Sequence, residues 1–403
     1  MRVLVITDLF PPVAFGGYER TCAALVEGLR ERHAVTVLTS DLQRARAAPE
    51  PWVRRELTYL GPSRRELVRV PLAAARAATV TRRALADARP DIVYVWNCLG
   101  ISQAAPCAVL QAQVPVAYRL SELWFASSLF RGDRFVGHLG PGRRGLHRPW
   151  GWLVRAVNRH PALRLDPARP VPAAVSWCSD DLRRRVTLPD AVRPVLERTI
   201  HSGVDLAALP RRPSSRVTIA YLGRVTAAKG ADVAVRALAA LRAAHGVDAQ
   251  LVLAGHCDPA MARRIGRLAD ALGVAQRVEL TGPLDRDAVG QVLQRARVVL
   301  VPSVAHEALG RVCIEAALAR VPVVASRSGG IPEALRDGDH ALLFEPGDVL
   351  ACAAALAATL EDGSAAQARV RRAFEHVQSF SVERFVAAEE AFLEEAASRL
   401  RAA

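Results

Sequence analysis

Short runs of valine, isoleucine and leucine alternate along this chain with alanine- and arginine-rich stretches of helical character, and that alternation restricts the fold more than any other feature. Val3 to Ile6, Ala34 to Leu38, Ile92 to Val95, Val114 to Ala117 and Ala174 to Trp177 form one series. Val217 to Leu222, Gln250 to Ala254, Arg277 to Leu280, Val298 to Val301 and Val321 to Ala325 form a second. Continuously apolar strands are buried on both faces, the condition of parallel sheets, and parallel neighbours need crossover helices. The expected class is therefore α/β, with two Rossmann-like, doubly wound domains over residues 1–200 and 217–375. The turn-rich stretch 201–216, from His201-Ser202-Gly203-Val204-Asp205 to Pro213-Ser214-Ser215, reads as the linker. Residues 376–403 read as terminal helices that can cross back to the first domain. Ligands of such sheets bind beyond the carboxyl ends of the strands, so a cleft where the two domains face each other is the expected site.

Composition bounds the rest. With 403 residues, 51% of them hydrophobic, the chain can bury a substantial core. No apolar run approaches the roughly 20 residues a membrane-spanning helix needs. The opening Met1 to Asp8 is too short an apolar stretch for a signal peptide and reads as a first buried strand. Seven scattered cysteines without a Cys-x-x-Cys pair fit buried free thiols in a reducing cytoplasm. The expected location is thus cytoplasmic, with room for peripheral contact at the inner face of a membrane.

Charge is divided unevenly. Residues 1–200 hold 30 Lys+Arg against 17 Asp+Glu, a balance of +13, whereas residues 201–403 hold 24 against 23, a balance of +1. Arginine-rich genome composition acts on both halves alike, so the asymmetry suggests an acidic partner for the first half: a phosphorylated small molecule or an anionic lipid surface. Nucleic acid is not expected, because no reading motif accompanies the charge. A basic, aromatic excursion at 131–169 carries nine arginines against two aspartates, together with Phe135, Trp150 and Trp152. Trp150, Leu153, Val154 and Val157 have helical spacing there, which suits either an anionic membrane surface or ordinary packing on the domain.

Among the 54 Lys+Arg residues one lysine survives, Lys229, in Gly223-Arg224-Val225-Thr226-Ala227-Ala228-Lys229-Gly230 directly after an apolar run. A compact ammonium and a planar guanidinium are not equivalent at a close anion contact, so Arg224 and Lys229 together are candidates to neutralise a diphosphate. At the corresponding turn of the first half, Gly16-Gly17-Tyr18-Glu19 joins a strand to a helix, and paired glycines there let backbone amides approach a phosphate. The strongest motif is Pro302-Ser303-Val304-Ala305-His306-Glu307-Ala308-Leu309-Gly310-Arg311-Val312-Cys313-Ile314-Glu315. It places Glu307 on a loop and Glu315 within a helix, two carboxylates able to accept from sugar hydroxyls, while the amides of Leu309, Gly310 and Arg311 can point at an anion. Gly329-Gly330-Ile331-Pro332-Glu333, after the strand Val321 to Ala325, would floor the same cleft. Asp285-Arg286-Asp287 suits helix N-capping better than metal binding, and the histidines have no zinc-ligand spacing.

Over nearly its whole length the sequence resembles the family 4 retaining glycosyltransferases of GT-B architecture, most specifically from Glu307 through Glu333. The resemblance implies that Arg224 and Lys229 contact the donor diphosphate, Glu307 the transferred sugar and Glu315 the nucleotide ribose. It further implies that Gly223, Ala308, Leu309, Gly310 and Arg311 line the nucleotide-sugar site, and that Gly16 and Gly17 lie near the donor phosphate and the acceptor. No metal or other cofactor is expected, only a nucleoside diphosphate sugar such as a UDP or GDP sugar. Ser121 and Glu122 stand where many relatives carry a His-Asp pair, so the acceptor-side residues, Tyr18, Glu19, Ser121 and Glu122, are less sharply defined. The expected function is transfer of a hexosyl group to a small-molecule or lipid-linked acceptor, for which the charge of the first half suggests an anionic group. The alternatives are a non-catalytic membrane-surface or scaffold protein, or a sugar-nucleotide epimerase, on the same fold.

Overall fold

In the computed structural model, residues 1–12, 16–42, 49–61, 69–122, 170–189, 192–204 and 217–402 are described. The excursion at 131–169 and most of the linker, 205–216, lie outside them, as do the readings made for those stretches. Contacts divide the chain into one unit of Met1–Gly203 with Val382–Ala403 and another of Val204–Ser381.

The first unit is built on strands β1 (Arg2–Ile6), β2 (Ala34–Ser40), β3 (Val53–Leu57), β4 (Ile92–Val95), β5 (Val116–Leu120), β6 (Val171–Trp177) and β7 (Val192–Thr199). They lie in the order β3-β2-β1-β4-β5-β6-β7. Every pairing is parallel; Val5 of β1, for example, stands between Val37 and Tyr94. Helices α1 (Gly17–Arg30), α2 (Val70–Ala88), α3 (Ala104–Gln111) and α4 (Asp180–Arg185) connect them. In α1 the buried residues Cys22, Leu25, Val26 and Leu29 recur at helical spacing and make the face that meets the core.

The second unit carries β8 (Val217–Leu222), β9 (Ala249–Ala254), β10 (Val278–Gly282), β11 (Val298–Val301), β12 (Val323–Ser326) and β13 (Leu342–Phe344) in the parallel order β10-β9-β8-β11-β12-β13. Its helices are α5 (Ala231–His245), α6 (Pro259–Ala271), α7 (Arg286–Arg295), α8 (Arg311–Leu318), α9 (Ile331–Ala334), α10 (Val349–Glu361) and α11 (Gly363–Val377). Side chains alternate across the sheet. Ala220, Leu222, Val299 and Val301 enter the core on one face, and Ile219, Tyr221, Val298 and Leu300 enter the core on the other. Asp285 caps α7, its carboxylate accepting from the Ala288 N–H at 2.8 Å.

Helix α12 (Val382–Ala402) belongs to the first unit, where Phe385, Phe392, Leu393 and Ala396 join the core formed by β1, β4 and α1. Gly28 permits that docking, since a Cβ there would lie 2.6 Å from Val386 Cγ1. Among the described residues no single helix is long and apolar enough to cross a membrane. The bent pair α10 and α11 passes only jointly, and it buries Cys352, Leu356, Val370 and Val377.

Candidate active site

In the second unit the loop after β8 and the loop after β11 are brought together by glycine. Gly230 caps α5 with φ +73, and a Cβ there would fall 1.8 Å from the Pro302 carbonyl oxygen, so no other residue lets these backbones approach so closely. The Val304 and Ala305 amides donate to the Ala228 carbonyl at 3.0 and 2.8 Å. This seam delivers Lys229 Nζ to within 2.6 Å of Glu307 Oε1. The Ser303 hydroxyl donates to the same oxygen. Glu307 is mostly buried, its side chain 13% exposed, whereas Lys229 at 34% keeps part of its ammonium open to solvent.

The Glu307 backbone is fixed from the other side. Its carbonyl accepts from the Gly330 N–H at 2.8 Å, and a Cβ on Gly329, whose φ is +56, would stand 2.0 Å from that oxygen. Ser326 and Ser328, at the end of β12, donate to the Ser303 and Ala305 carbonyls at 2.7 and 2.8 Å. Thus the Gly-Gly-Ile-Pro-Glu turn positions the loop that carries the carboxylate. Gly310, at φ +77, precedes the first turn of α8, so the positive end of that helix dipole follows directly on the loop. The Leu309 side chain is buried in the core below, and Arg311 lies 3.7 Å from Glu315 one helical turn on. Burial pushes the Cys313 thiol up, and Glu307 and then Glu315 add to the rise, so both carboxylates act on the space above this buried cysteine.

Gly223 takes φ +131 at the end of β8 and leads to Arg224, whose side chain is exposed and forms no ion pair among the described residues. The Tyr221 hydroxyl, pushed up by burial and so kept as a neutral donor, holds the Arg224 carbonyl at 2.7 Å. The geometry therefore gathers Lys229 and Ser303 on one oxygen of Glu307 and leaves Arg224 exposed on the loop after β8. Ser303 carries no role in the sequence reading. Its signal is position, four residues before Glu307 and directly after a buried strand.

The remaining candidates lie in the first unit. Gly16 has extended backbone, and its N–H donates to the Glu19 carboxylate at 3.0 Å. That amide, expected to be open to a phosphate, is taken by a side chain of the same helix, the back half of a capping box. Tyr18 is half-buried against Trp96, Ser121 is half-buried just beyond β5, and Glu122 is exposed. His33, Glu390 and Glu394 bring their nitrogen and carboxylate oxygen atoms within 4.8 Å of one another. Glu390 is already engaged by the His33 ring at 2.7 Å and by the Arg32 guanidinium, which supplies the cation.

Two parallel-sheet Rossmann-like units, the second with a lysine, a glutamate and a glycine-capped helix at the carboxyl ends of its strands, define the GT-B glycosyltransferase class. Residues 209–376 match the family of group 1 glycosyl transferases and residues 15–208 match glycosyltransferase family 4, and the chain belongs to this family. It is similar to D-inositol 3-phosphate glycosyltransferase of Mycobacterium marinum, 33% identical over 51% of this chain and 46% of that one. The chain thus matches about half the length of that relative. Glycogen synthase of Mycobacterium tuberculosis is 28% identical over 94% of this chain and 91% of its own. Among solved structures, HepE of Anabaena in complex with UDP and glucose superposes with a TM-score of 0.68 at 20% identity, covering 98% of this chain and all of that one.

Proposed function

We propose that this protein transfers a hexosyl group from a nucleoside diphosphate sugar, UDP- or GDP-linked, to an acceptor hydroxyl with retention of anomeric configuration. The observation that carries this reading is the 2.6 Å pairing of the chain's single lysine with Glu307, beside a helix N-terminus and an exposed arginine. In this reading Lys229 and Arg224 bind the donor diphosphate, Glu307 the hexose and Glu315 the ribose, with Gly223, Ala308, Leu309, Gly310 and Arg311 forming the backbone wall. UDP and glucose in the HepE structure support that donor class.

When the bond from the anomeric carbon to phosphate breaks, its electron pair leaves with the phosphate and positive charge develops on the sugar. The ammonium, the guanidinium and the α8 dipole stabilise the departing diphosphate, and they are in place before the charge appears. Glu307, held by Ser303 and Lys229, stays beside the sugar. The leaving phosphate oxygen takes the acceptor proton on the face where the new bond forms, so this chemistry needs neither a separate base nor a metal.

The test is calorimetric binding of UDP and GDP, followed by turnover with nucleotide sugars read as diphosphate release and product mass. Lys229→Ala and Glu307→Gln should each lower kcat by about 100- to 1000-fold, the usual cost of removing one preorganised donor. Undiminished turnover in Lys229→Ala would sink the assignment. Failure to release diphosphate from any donor would favour the scaffold reading.

A further inference from the structure

Two donors meet on one oxygen of Glu307. Lys229 Nζ, at 2.6 Å, and the Ser303 hydroxyl both donate to Oε1, while Oε2 accepts no hydrogen bond among the described residues. A carboxylate oxygen offers about two acceptor sites, so Oε1 is filled and Oε2 is the oxygen left for a ligand's hydroxyls. The last torsion of a glutamate is broad and two-fold, so the side chain does not choose between its oxygens unaided. Where Oε2 points is set by whatever holds Oε1.

The two holders differ in how firmly they are themselves held. Lys229 carries its ammonium on a flexible four-carbon stem that is partly open to solvent, and such a group follows the nearest anion. Ser303 is 1% exposed and stands two residues past the end of β11. Its carbonyl accepts from the fully buried Ser326 hydroxyl at 2.7 Å, at the end of β12, the strand that pairs with β11. On one side of it Pro302 is packed against Gly230, and on the other the Val304 and Ala305 amides are spent on the Ala228 carbonyl. The serine backbone is thus fixed to the sheet and to the neighbouring loop, and its short side chain has little rotamer freedom to lose.

A bound diphosphate makes that difference matter. It has the same sign as Glu307 and competes with it for the one ammonium, so the hold of Lys229 on Oε1 weakens when the sugar arrives. A neutral, enclosed hydroxyl is under no such pull.

We propose that Ser303 is a positioning residue for the donor sugar: its hydroxyl fixes the Glu307 carboxylate so that Oε2 receives the sugar hydroxyls while Lys229 turns to the diphosphate. This deepens the glycosyl-transfer reading above and rests on it. Removal of the serine hydroxyl leaves the phosphate contacts of Lys229 and Arg224 in place and frees the carboxylate to turn. The loss therefore falls on the sugar and spares the nucleotide.

The test is calorimetry on the full chain, comparing UDP with UDP-glucose, UDP-galactose and UDP-N-acetylglucosamine, and GDP with GDP-mannose. The probe is the nucleotide sugar that wild type binds most tightly relative to its bare nucleotide. Ser303→Ala should weaken that probe about tenfold, the usual worth of a hydrogen bond to a charged group. The bare nucleotide should change by no more than about twofold, the scatter expected of independent sites. Beside Glu307→Ala, Ser303→Ala should cost no more than about twofold further, because the serine acts through the carboxylate. A merely structural role would weaken nucleotide and nucleotide sugar together and would persist without Glu307. Equal losses for both ligands, an undiminished effect beside Glu307→Ala, a sugar preference that survives Ser303→Ala, or a wild type that gains nothing from any of these sugars would overturn the proposal. Each of those outcomes leaves nucleotide binding, and with it the donor reading, intact. Failure of wild type to bind either UDP or GDP would instead refute the donor reading and remove the proposal with it.

Discussion

Arg119 and Glu389 offer a test of how the terminal helix is joined to the first unit. Both side chains are fully buried, with the guanidinium 2.7 Å from the carboxylate. Glu389 also accepts from the Tyr94 hydroxyl at 2.5 Å and the Ser176 hydroxyl at 3.2 Å, while Arg119 donates to the Ile200 carbonyl at 2.7 Å and to Ser202 at 3.0 Å. In Arg119→Met the carboxylate keeps two hydroxyl donors and loses its counter-charge. Breaking one side of such a pair costs about 3–5 kcal/mol, whereas replacing both sides with apolar groups is often close to neutral. Arg119→Met should therefore lower the melting temperature of this unit by roughly 6–20 °C, at about 2–4 °C per kcal/mol for a unit of this size. Arg119→Met/Glu389→Leu should recover most of the loss, because Tyr94 and Ser176 still bond each other at 2.8 Å.

The pH dependence has a definite sign. Burial already raises Glu389 above its usual range, and Arg119 is the largest influence opposing that rise. Without Arg119 the folded carboxyl binds its proton more tightly still than the unfolded one does. The folded state then holds more protons above the unfolded value of roughly 4.5, and stability falls as pH rises through that window. The deficit of Arg119→Met against wild type should thus be smallest near pH 5 and widen toward pH 8. All six tryptophans lie between Trp52 and Trp177, so tryptophan fluorescence in urea reports on the first unit without interference from the second. A single variant within about 1 kcal/mol of wild type would refute the reasoning, since the stated cost of a broken buried pair is several times larger. So would a double variant as unstable as the single one, or a deficit that does not vary with pH.

Other outcomes follow from the same geometry. Gly329→Ala must displace the Glu307 carbonyl, 2.0 Å from the new Cβ, and a misplacement of about an ångström can cost roughly 100-fold in turnover; activity beside a melting curve checks it. Gly28→Ala should destabilise the first unit by about 1–3 kcal/mol through overlap with Val386, and Val386→Ala in the same chain should relieve it; unchanged urea midpoints would refute the packing. His340, stacked on His376 at 4.4 Å, is pushed down to about 4 by burial and by His376. The unfolded chain then binds more protons below about 6.5, so the second unit should lose stability as pH falls from there toward 4. Calorimetric scans of wild type and His340→Gln, the variant flatter over that range, check this.

The buried parallel strands were legible because their residues are apolar on both faces, and two of the strands missed lack this property. β3 reads Val-Arg-Arg-Glu-Leu and β7 carries Arg193, Pro194, Glu197 and Arg198; both are sheet edges, where charge and proline are tolerated. β13, the edge of the other sheet, has only three residues. The run read as Val114 to Ala117 forms Val116–Leu120 instead, because Arg119 counts as polar in a sequence but is buried through Glu389, a partner far along the chain.

The site divides in the same way. Backbone demands leave a local mark, so Gly230, Gly310 and Gly329 stand out in the loops that position Lys229 and Glu307. Contacts set by the sheet's winding leave none: nothing near Lys229 announces Glu307 as its partner, and nothing near Asp8 announces Gly100.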